Sequence, residues 1–509
     1  MRKSEEIRLE LQTNQNLSRK NLVKAYRECD VQRAEISYKG FNKKKFFEQL
    51  SSAEADTWNI QKAYNNTIAN TLEDYDRIHT MLMEENDCLR NMVMQLQVQI
   101  AELNRRLGQT SIFDFYTAGK RVVQIVSSLN FGDAVGNDVL AINRALTEAG
   151  YATGIFAKAI HKKIHEPKAY LIDMLPELTP DDIVIYHYAA ADEYQELIES
   201  LEAKVVLRYH NVTPPTFFAG YDEIAEKVTS EGLRQIEAMK DAIDYGLTVS
   251  EFNKSDLQNM GYRCPISVAP ILIPFDDYRQ EPSAKVIEKY SDGRTNIVFV
   301  GRVAPNKRFE DVLDCFVEYK KKYDKDARLF LVGNYDEKNK YYQYLKEHVE
   351  NIGAEDVLFP GHIPFDEILA YYKIADLFLC MSEHEGFCVP LVEAMFFETP
   401  IVAYASTAIP GTLNGAGALV ESKEASVVAK KMNQVLTDEA YRNEIIEKQN
   451  ARLADFEYDR IKEQILEEIT TIKEYKVVKT PIKKPRKAKS LFEIVEELER
   501  GDMKKTGQQ

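Results

Sequence analysis

The chain has 509 residues, 44% apolar and 29% charged, with a formal net charge of −15. That length is too great for one hydrophobic core and predicts about three domains. The negative balance argues against a general nucleic-acid binder. Six cysteines, at 29, 88, 264, 315, 380 and 388, show no CxxC and no even framework, which argues against a disulfide scaffold or a cysteine-rich zinc site and suits a reducing compartment. The start, MRKSEEIRLELQ, has no apolar signal region. No run approaches the roughly 18 apolar residues needed to span a bilayer. A cytoplasmic chain, or one held peripherally at the inner face of the cell membrane, is therefore expected.

Residues 1–110 are free of proline and helix-permissive. From about 72 to 107 a heptad pattern appears. Leu82, Leu89, Leu96 and Leu103 recur every seven positions, with His79, Asn86, Val93, Ile100 and Leu107 as the companion series. Leucine at one core position and β-branched residues with a single asparagine at the other favour a parallel two-stranded coil. A homodimer or other homo-oligomer through 72–107 is expected, the alternative being one amphipathic helix packed on its own domain. Gly108 is a plausible stop.

From Arg121 the pattern changes to short apolar runs alternating with helical segments. VVQIVSSL (122–129), IVIYHYA (183–189), KVVLRYH (204–210), GLTVS (246–250) and ISVAPILI (266–273) form one series. After a loop at 275–295 come NIVFVGRV (296–303), ARLFLVG (327–333), VLFPGHI (357–363), DLFLCMS (376–382) and PIVAY (400–404). Apolar strands separated by helices predict buried parallel sheets covered on both faces. The fold class is α/β: two facing Rossmann-like lobes, 120–278 and 292–455, preceded by the helical region. Ligands are expected beyond the carboxyl ends of the strands.

Two strand ends carry the chemistry. NIVFVGRV ends in Gly301 and Arg302, and Lys307 follows at the next helix start. A guanidinium fork and an ammonium beside a helix N-terminus suit a diphosphate and the charge it gains on leaving. Alternatively they are two solvated cations. The second strand end is MSEHEGFCVPLVEAM (381–395). Its glycine and proline mark a turn and a helix start. Glu393 is expected in the first helical turn, where an acid complements the dipole. A carboxylate there accepts both hydroxyls of a ribose, and Glu385 would take a second set of hydroxyls. The amides of Phe387, Cys388 and Val389 are placed to receive phosphate oxygens. The plainer alternative makes both acids ordinary surface charges.

These motifs resemble the retaining glycosyltransferases of family 4, which have the GT-B fold. The resemblance rests on GRVAPNK, FLVGN (330–334), LFPGHI (358–363) and the E-x7-E of EGFCVPLVE, in that order, over about 296–440. It is looser in the first lobe, on SSLNFGDAVGNDVLAINRALTEAGY, RYHN with His210, and TVSEFNKSDL with Ser250. It implies a metal-independent hexosyltransferase using a nucleotide-diphosphate sugar, UDP- or GDP-linked, with no cofactor. In that family Arg302 and Lys307 would hold the pyrophosphate, Glu393 the ribose and Glu385 the sugar. Backbone at Ile363 would meet the base, and His210 would lie at the reaction centre. Gly301, Asn334, Phe387, Cys388, Val389, Ser250 and Gly132 complete the expected donor-binding set. A helix at 456–476 would cross back onto the first lobe. Two departures stand out: Cys388 replaces a usual glycine, and GDAVGND alters the expected glycine pair, leaving Gly132, Asp133 and Gly136 open as ligand contacts.

The acceptor would be a glycan, a lipid-linked saccharide or a glycosylated protein. FAKAIHKKIHEPKAY (156–170) and the basic tail suit a lipid-linked one. In that tail, 477–509, KTPIKKPRKAK has six basic residues and no acid, followed by SLFEIVEELER. It reads as a solvated linker with a docking helix, or as a contact for anionic lipid. Two rivals remain open: a non-catalytic coiled-coil assembly protein whose lobes bind nucleotide sugars, and a sugar-nucleotide epimerase. The pairs Asp74–Asp76 and Asp324–Asp326 are read as solvated, and His161 with His165 lacks a third metal ligand. His187 is read as a satisfied core histidine.

Overall fold

In the computed structural model the described residues run from 121 to 474, apart from Glu166 and Lys168. The expected coiled coil at 72–107, the rest of 1–110, Asp74–Asp76 and the basic tail lie outside them.

The first sheet has seven strands: β1 (Val122–Leu129), β2 (Thr153–Ile160), β3 (Ala169–Leu171), β4 (Ile183–Tyr188), β5 (Lys204–Tyr209), β6 (Tyr245–Thr248) and β7 (Ile266–Val268). They pair in parallel in the order β3-β2-β1-β4-β5-β6-β7. The second has six: β8 (Asn296–Val300), β9 (Arg328–Val332), β10 (Val357–Gly361), β11 (Leu377–Cys380), β12 (Ile401–Tyr404) and β13 (Ala418–Val420). Its parallel order is β10-β9-β8-β11-β12-β13. Continuous apolar runs form these central strands because helices cover both faces, so neither side-chain direction reaches water. Every residue of β4, β9 and β11 is buried accordingly.

Strand order reverses between β1 and β4 in the first lobe and between β8 and β11 in the second. At such a switch the flanking connections leave to opposite sides and open a crevice at the carboxyl ends. Gly301 and Arg302 follow β8, and the Glu385 loop follows β11. The two expected phosphate and sugar motifs therefore flank one switch point.

Three strands, β2, β3 and β13, belong to the sheets although the apolar pattern alone did not mark them. The segment 275–295, read as a loop, contains the helices Phe275–Tyr278 and Ala284–Tyr290. The second of these packs on helix Phe365–Lys373. Its entry is fixed by Ser283 N donating to Asp366 O at 2.9 Å.

Helix Tyr458–Glu474 buries one stripe, Ile461, Ile465, Ile469 and Ile472, spaced as one helical face requires. It packs beside helix Ala134–Glu148 of the first lobe. Gln464 Nε2 donates to Val268 O at 2.5 Å, and Lys204 Nζ donates to Ile472 O at 3.1 Å. Among the described residues no helix is long and apolar enough to cross a membrane.

Candidate functional site

Lys307 ends a 3-10 turn, Pro305–Lys307, rather than starting a helix; the helix proper begins at Phe309. Its Nζ donates to Glu385 Oε1 at 2.5 Å, with side chains only 19% and 8% exposed. Burial works against the Lys307 ammonium, but the Glu385 carboxylate outweighs it and holds the lysine above its ordinary pKa. The lysine is thus a fixed cation at the second switch point, and Glu385 is its counter-ion rather than a free acid. Glu385 N donates to Thr407 Oγ1 at 2.9 Å and anchors the loop.

Cys388, at φ +73, precedes helix Val389–Phe396, and Pro390 lies within its first turn. The amides of Phe387, Cys388 and Val389 donate to no acceptor among the described residues. Unpaired amides at a helix start carry partial positive charge and form an anion cradle. The Cys388 thiol hydrogen-bonds that of Cys380; this bond together with burial raises Cys388, and the same bond lowers Cys380 against the effect of its burial.

Glu393 falls one turn further into that helix than expected, so the helix dipole, which acts within the first turn, is not what holds it. Two tyrosines hold it instead. Tyr278 OH donates to Oε1 at 2.9 Å and Tyr372 OH to Oε2 at 2.6 Å. Burial raises its pKa and the two hydroxyls partly offset this.

Arg302 is exposed and lines a cleft of about 260 Å³ with Asn334, Tyr335 and Tyr342 of its own lobe and Phe218 and Tyr221 of the other. Lys307 and Glu385 do not line it. The structure therefore brings Lys307, Glu385 and Cys388 together, and Arg302 with Asn334, but not all four charged residues in one cleft. Ile363 is half-buried against the Val298–Phe330 cluster. Gly132, at φ +82, is exposed with nothing within 4 Å of an added Cβ. Asp133 caps helix Ala134–Glu148 through Gly136 N, and a Cβ at Gly136 would lie 2.1 Å from Asn130 O. Close packing and capping account for that motif.

The lobes meet at the Glu385 loop. A Cβ at Gly386 would sit 2.5 Å from the His210 carbonyl oxygen, so only glycine fits. His384 Nε2 hydrogen-bonds Asn211 Oδ1 at 2.5 Å, and Asn211 Nδ2 donates to Asn253 Oδ1 at 2.9 Å. Ser250 acts behind these groups, its hydroxyl accepting from Asn253 N at the cap of helix Glu251–Asn259. Burial, with Lys307 nearby and Glu385 opposing, lowers His384 to about 4. Under the seam, His210 Nε2 lies 3.1 Å from His187 Nδ1, and His187 Nε2 lies 2.9 Å from Gln124 Oε1. Asp138, His187 and His210 place possible ligand atoms within 4.8 Å of one another. Arg208 and the Leu272 amide already engage the Asp138 carboxylate, which makes this a hydrogen-bonded cluster.

Tyr278 and Tyr372 carried no sequence signal, and Asn211 and His384, although inside the motifs RYHN and MSEHEGFCVPLVEAM, were not singled out. Gln124 had a signal, a polar residue inside the apolar run VVQIV. Asp324, in the second declined pair, accepts from Thr295 Oγ1 at 2.6 Å in a turn.

Two facing parallel-sheet lobes with a switch-point site in the second are the GT-B arrangement. The chain superposes on sucrose-phosphate synthase from Thermosynechococcus elongatus with a TM-score of 0.55 at 17% identity, covering 69% of this chain and 99% of that one. For Anabaena HepE in complex with UDP-glucose the score is 0.55 at 16% identity, covering 69% and 99%. Residues 281–452 match the family described as Glycosyl transferases group 1. Over 182 residues the chain is 28% identical to the Campylobacter jejuni GalNAc-alpha-(1->4)-GalNAc-alpha-(1->3)-diNAcBac-PP-undecaprenol alpha-1,4-N-acetyl-D-galactosaminyltransferase, covering 35% of this chain and 48% of that protein. It is 24% identical to the Escherichia coli O-antigen chain mannosyltransferase B, covering 46% and 60%. The chain thus spans less than two thirds of the length of these curated relatives.

Proposed function

We propose that the chain is a retaining, metal-independent hexosyltransferase that moves a sugar from a nucleotide diphosphate, UDP- or GDP-linked, to a glycan or lipid-linked acceptor. The observation that carries this reading is the junction of Lys307, Glu385 and the free amides of 387–389 at one helix start, pressed through Gly386 against His210. The diphosphate would lie on those amides beside the Lys307 ammonium, with Arg302 reaching it from the adjoining cleft. As the glycosidic C–O bond breaks, its electron pair passes to the β-phosphate oxygen. Fixed positive charge placed there stabilises that developing anion more than the bound substrate. The acceptor hydroxyl attacks from the same face and gives its proton to the departing phosphate oxygen.

Each Glu393 oxygen keeps a second lone pair beyond its tyrosine, enough for the ribose hydroxyls. Glu385 holds the lysine through Oε1, and its Oε2 would meet the sugar. The relatives, one of them named for a PP-undecaprenol saccharide, support a lipid-linked acceptor and a peripheral position at the membrane. The 72–107 coil would supply the homo-oligomer.

A thermal-shift screen against UDP, GDP, ADP and CMP sugars tests the donor. A true donor at a hundred times its Kd stabilises by about 2.7 kcal/mol. Transfer measured with and without a chelator, and the anomer of the product by NMR, test the mechanism. Inversion, or a strict metal requirement, would remove it.

A further inference from the structure

The first lobe contains a chain of polar groups in which every proton position can be worked out. Gln124 is fully buried in β1, and its Nε2 donates to Val139 O at 3.1 Å. That fixes the amide orientation, because a flipped Gln124 would set two oxygens against each other. Gln124 Oε1 is therefore the group facing His187 Nε2 at 2.9 Å, and it can only accept, so the proton sits on His187 Nε2. His187 Nδ1 is then a bare acceptor, and the partner 3.1 Å away, His210 Nε2, must carry the proton between them. The remaining nitrogen, His210 Nδ1, is left unprotonated.

That nitrogen is buried and has no hydrogen-bond partner among the described residues. An unmet buried acceptor is costly, a penalty that a ligand hydroxyl would remove. Asp138 does not compete to orient the ring: its Oδ2 is 3.8 Å from His210 Nε2, beyond hydrogen-bond reach. Its oxygens are taken by Arg208 at 2.8 and 3.1 Å and by Leu272 N at 2.9 Å. Burial leaves both rings neutral. Burial lowers His210 and the Arg208 guanidinium lowers it further; burial and His210 lower His187, with Asp138 opposing.

We propose that Gln124 and His187 are positioning residues: anchored on Val139 O, they hold His210 as the tautomer with a bare Nδ1, and that lone pair accepts a hydroxyl of the transferred sugar. The ligand half rests on the function proposed above. A bare acceptor repels phosphate oxygens, so the diphosphate is excluded from this position. His210 lies against Gly386, next to the loop where the leaving group is placed, and the neutral, hydroxyl-bearing part of the donor is what adjoins a diphosphate.

The test uses the full chain with 15N-labelled histidine. The two neutral tautomers give distinct imidazole nitrogen resonances, and His210→Gln assigns those of residue 210. The expected spectrum has Nδ1 unprotonated and Nε2 protonated; the reverse overturns the inference. Gln124→Leu should mix the tautomers and lower kcat/KM for the donor about tenfold, the worth of one hydrogen bond. The inhibition constant of the free nucleoside diphosphate, which does not reach His210, should stay put and report an intact fold. A donor analogue lacking the contacted hydroxyl should lose transfer with the native chain and lose little more with Gln124→Leu. Unchanged tautomer and unchanged transfer in Gln124→Leu overturn the positioning role. The expected spectrum in a chain that transfers from no nucleotide sugar supports the positioning half and overturns the sugar-contact half together with the proposed function.

Discussion

Removing the Lys307 ammonium separates what it does for the fold from what it does for a reaction. Lys307→Met keeps the length of the side chain and deletes its charge, leaving a carboxylate at Glu385 that is 8% exposed. At 2.5 Å and an effective dielectric of about 20, the gross attraction is about 6–7 kcal/mol. Much of that offsets desolvation, and breaking one side of a buried pair costs about 3–5 kcal/mol. A loss of about 3 kcal/mol corresponds to a melting point lower by about 6–12 °C. The double variant Lys307→Met with Glu385→Gln removes both charges and should return to within about 1 kcal/mol of the native chain, since neutral replacement of a buried pair is often tolerated. Transfer should not return with it, because the missing positive charge at the leaving group costs about a hundredfold or more. Urea melts of the four proteins give the coupling energy, and nucleoside-diphosphate release gives the rate. A coupling energy near zero would refute the buried pair; native turnover in the stable double variant would refute the leaving-group role.

Gly386→Ala and Gly333→Ala make a contrast. The first adds a Cβ 2.5 Å from His210 O, across the seam, so the lobes can part. Donor KM should rise about tenfold, for an overpacking penalty of about 1–3 kcal/mol, and small-angle scattering should show a larger radius of gyration. The second adds a Cβ 1.9 Å from Gly301 O within one sheet, where nothing can yield; it should lower the melting point more and show no such opening. His384, lowered to about 4 by burial, stays neutral in the native state while the unfolded chain takes a proton below about pH 6.5. Its contribution is therefore complete above that pH and falls by up to about 1.4 kcal/mol per pH unit on acidification toward 4. Urea melts should show a slope between pH 6 and 4.5 that is shallower by that amount in His384→Gln. Asp192, raised to about 7 by burial, acts in the opposite direction: it adds stability at acid pH that is lost between about 4 and 7. Tyr372→Phe removes the hydroxyl at Glu393 Oε2 and should cost about 1–3 kcal/mol in a urea melt.

The fold was legible wherever burial was two-sided. VVQIVSSL and IVIYHY are apolar along their length because both faces are covered, and they became β1 and β4. TGIFAKAI was not legible, because only its first half is deeply buried and Lys158 turns out to pair with Glu193. ALV is a three-residue edge strand, too short to carry a pattern. Around Pro274 and Pro282 the two helices have four and seven residues, below what periodicity resolves. At the site, strand ends named Lys307 and Glu385 one by one. Their pairing joins positions 78 residues apart, and nothing local encodes it; strand order does, by placing β8 beside β11. The tyrosines on Glu393 come from a short helix and from the end of helix Phe365–Lys373, and packing alone brings them there.

The division of charge between the lobes follows from the same topology. The second lobe offers an ammonium and unpaired amides, all suited to an anion. The first, on the tautomer proposed for His210, would offer a lone pair suited to a hydroxyl. On the proposed function a sugar diphosphate would contact both halves, which meet at the seam where Gly386 lies against His210. That seam is tied to the crossover segment by packing: Phe456 lies edge-on to Phe387 at 5.6 Å, and the Arg452 guanidinium sits 4.6 Å over the Phe456 ring. Phe456 lies two residues before the helix whose isoleucine stripe is buried against the first lobe. The crossover segment therefore touches the residue whose amide is one of the three in the anion cradle, so a rotation of the lobes that moved this helix would be felt at Phe387.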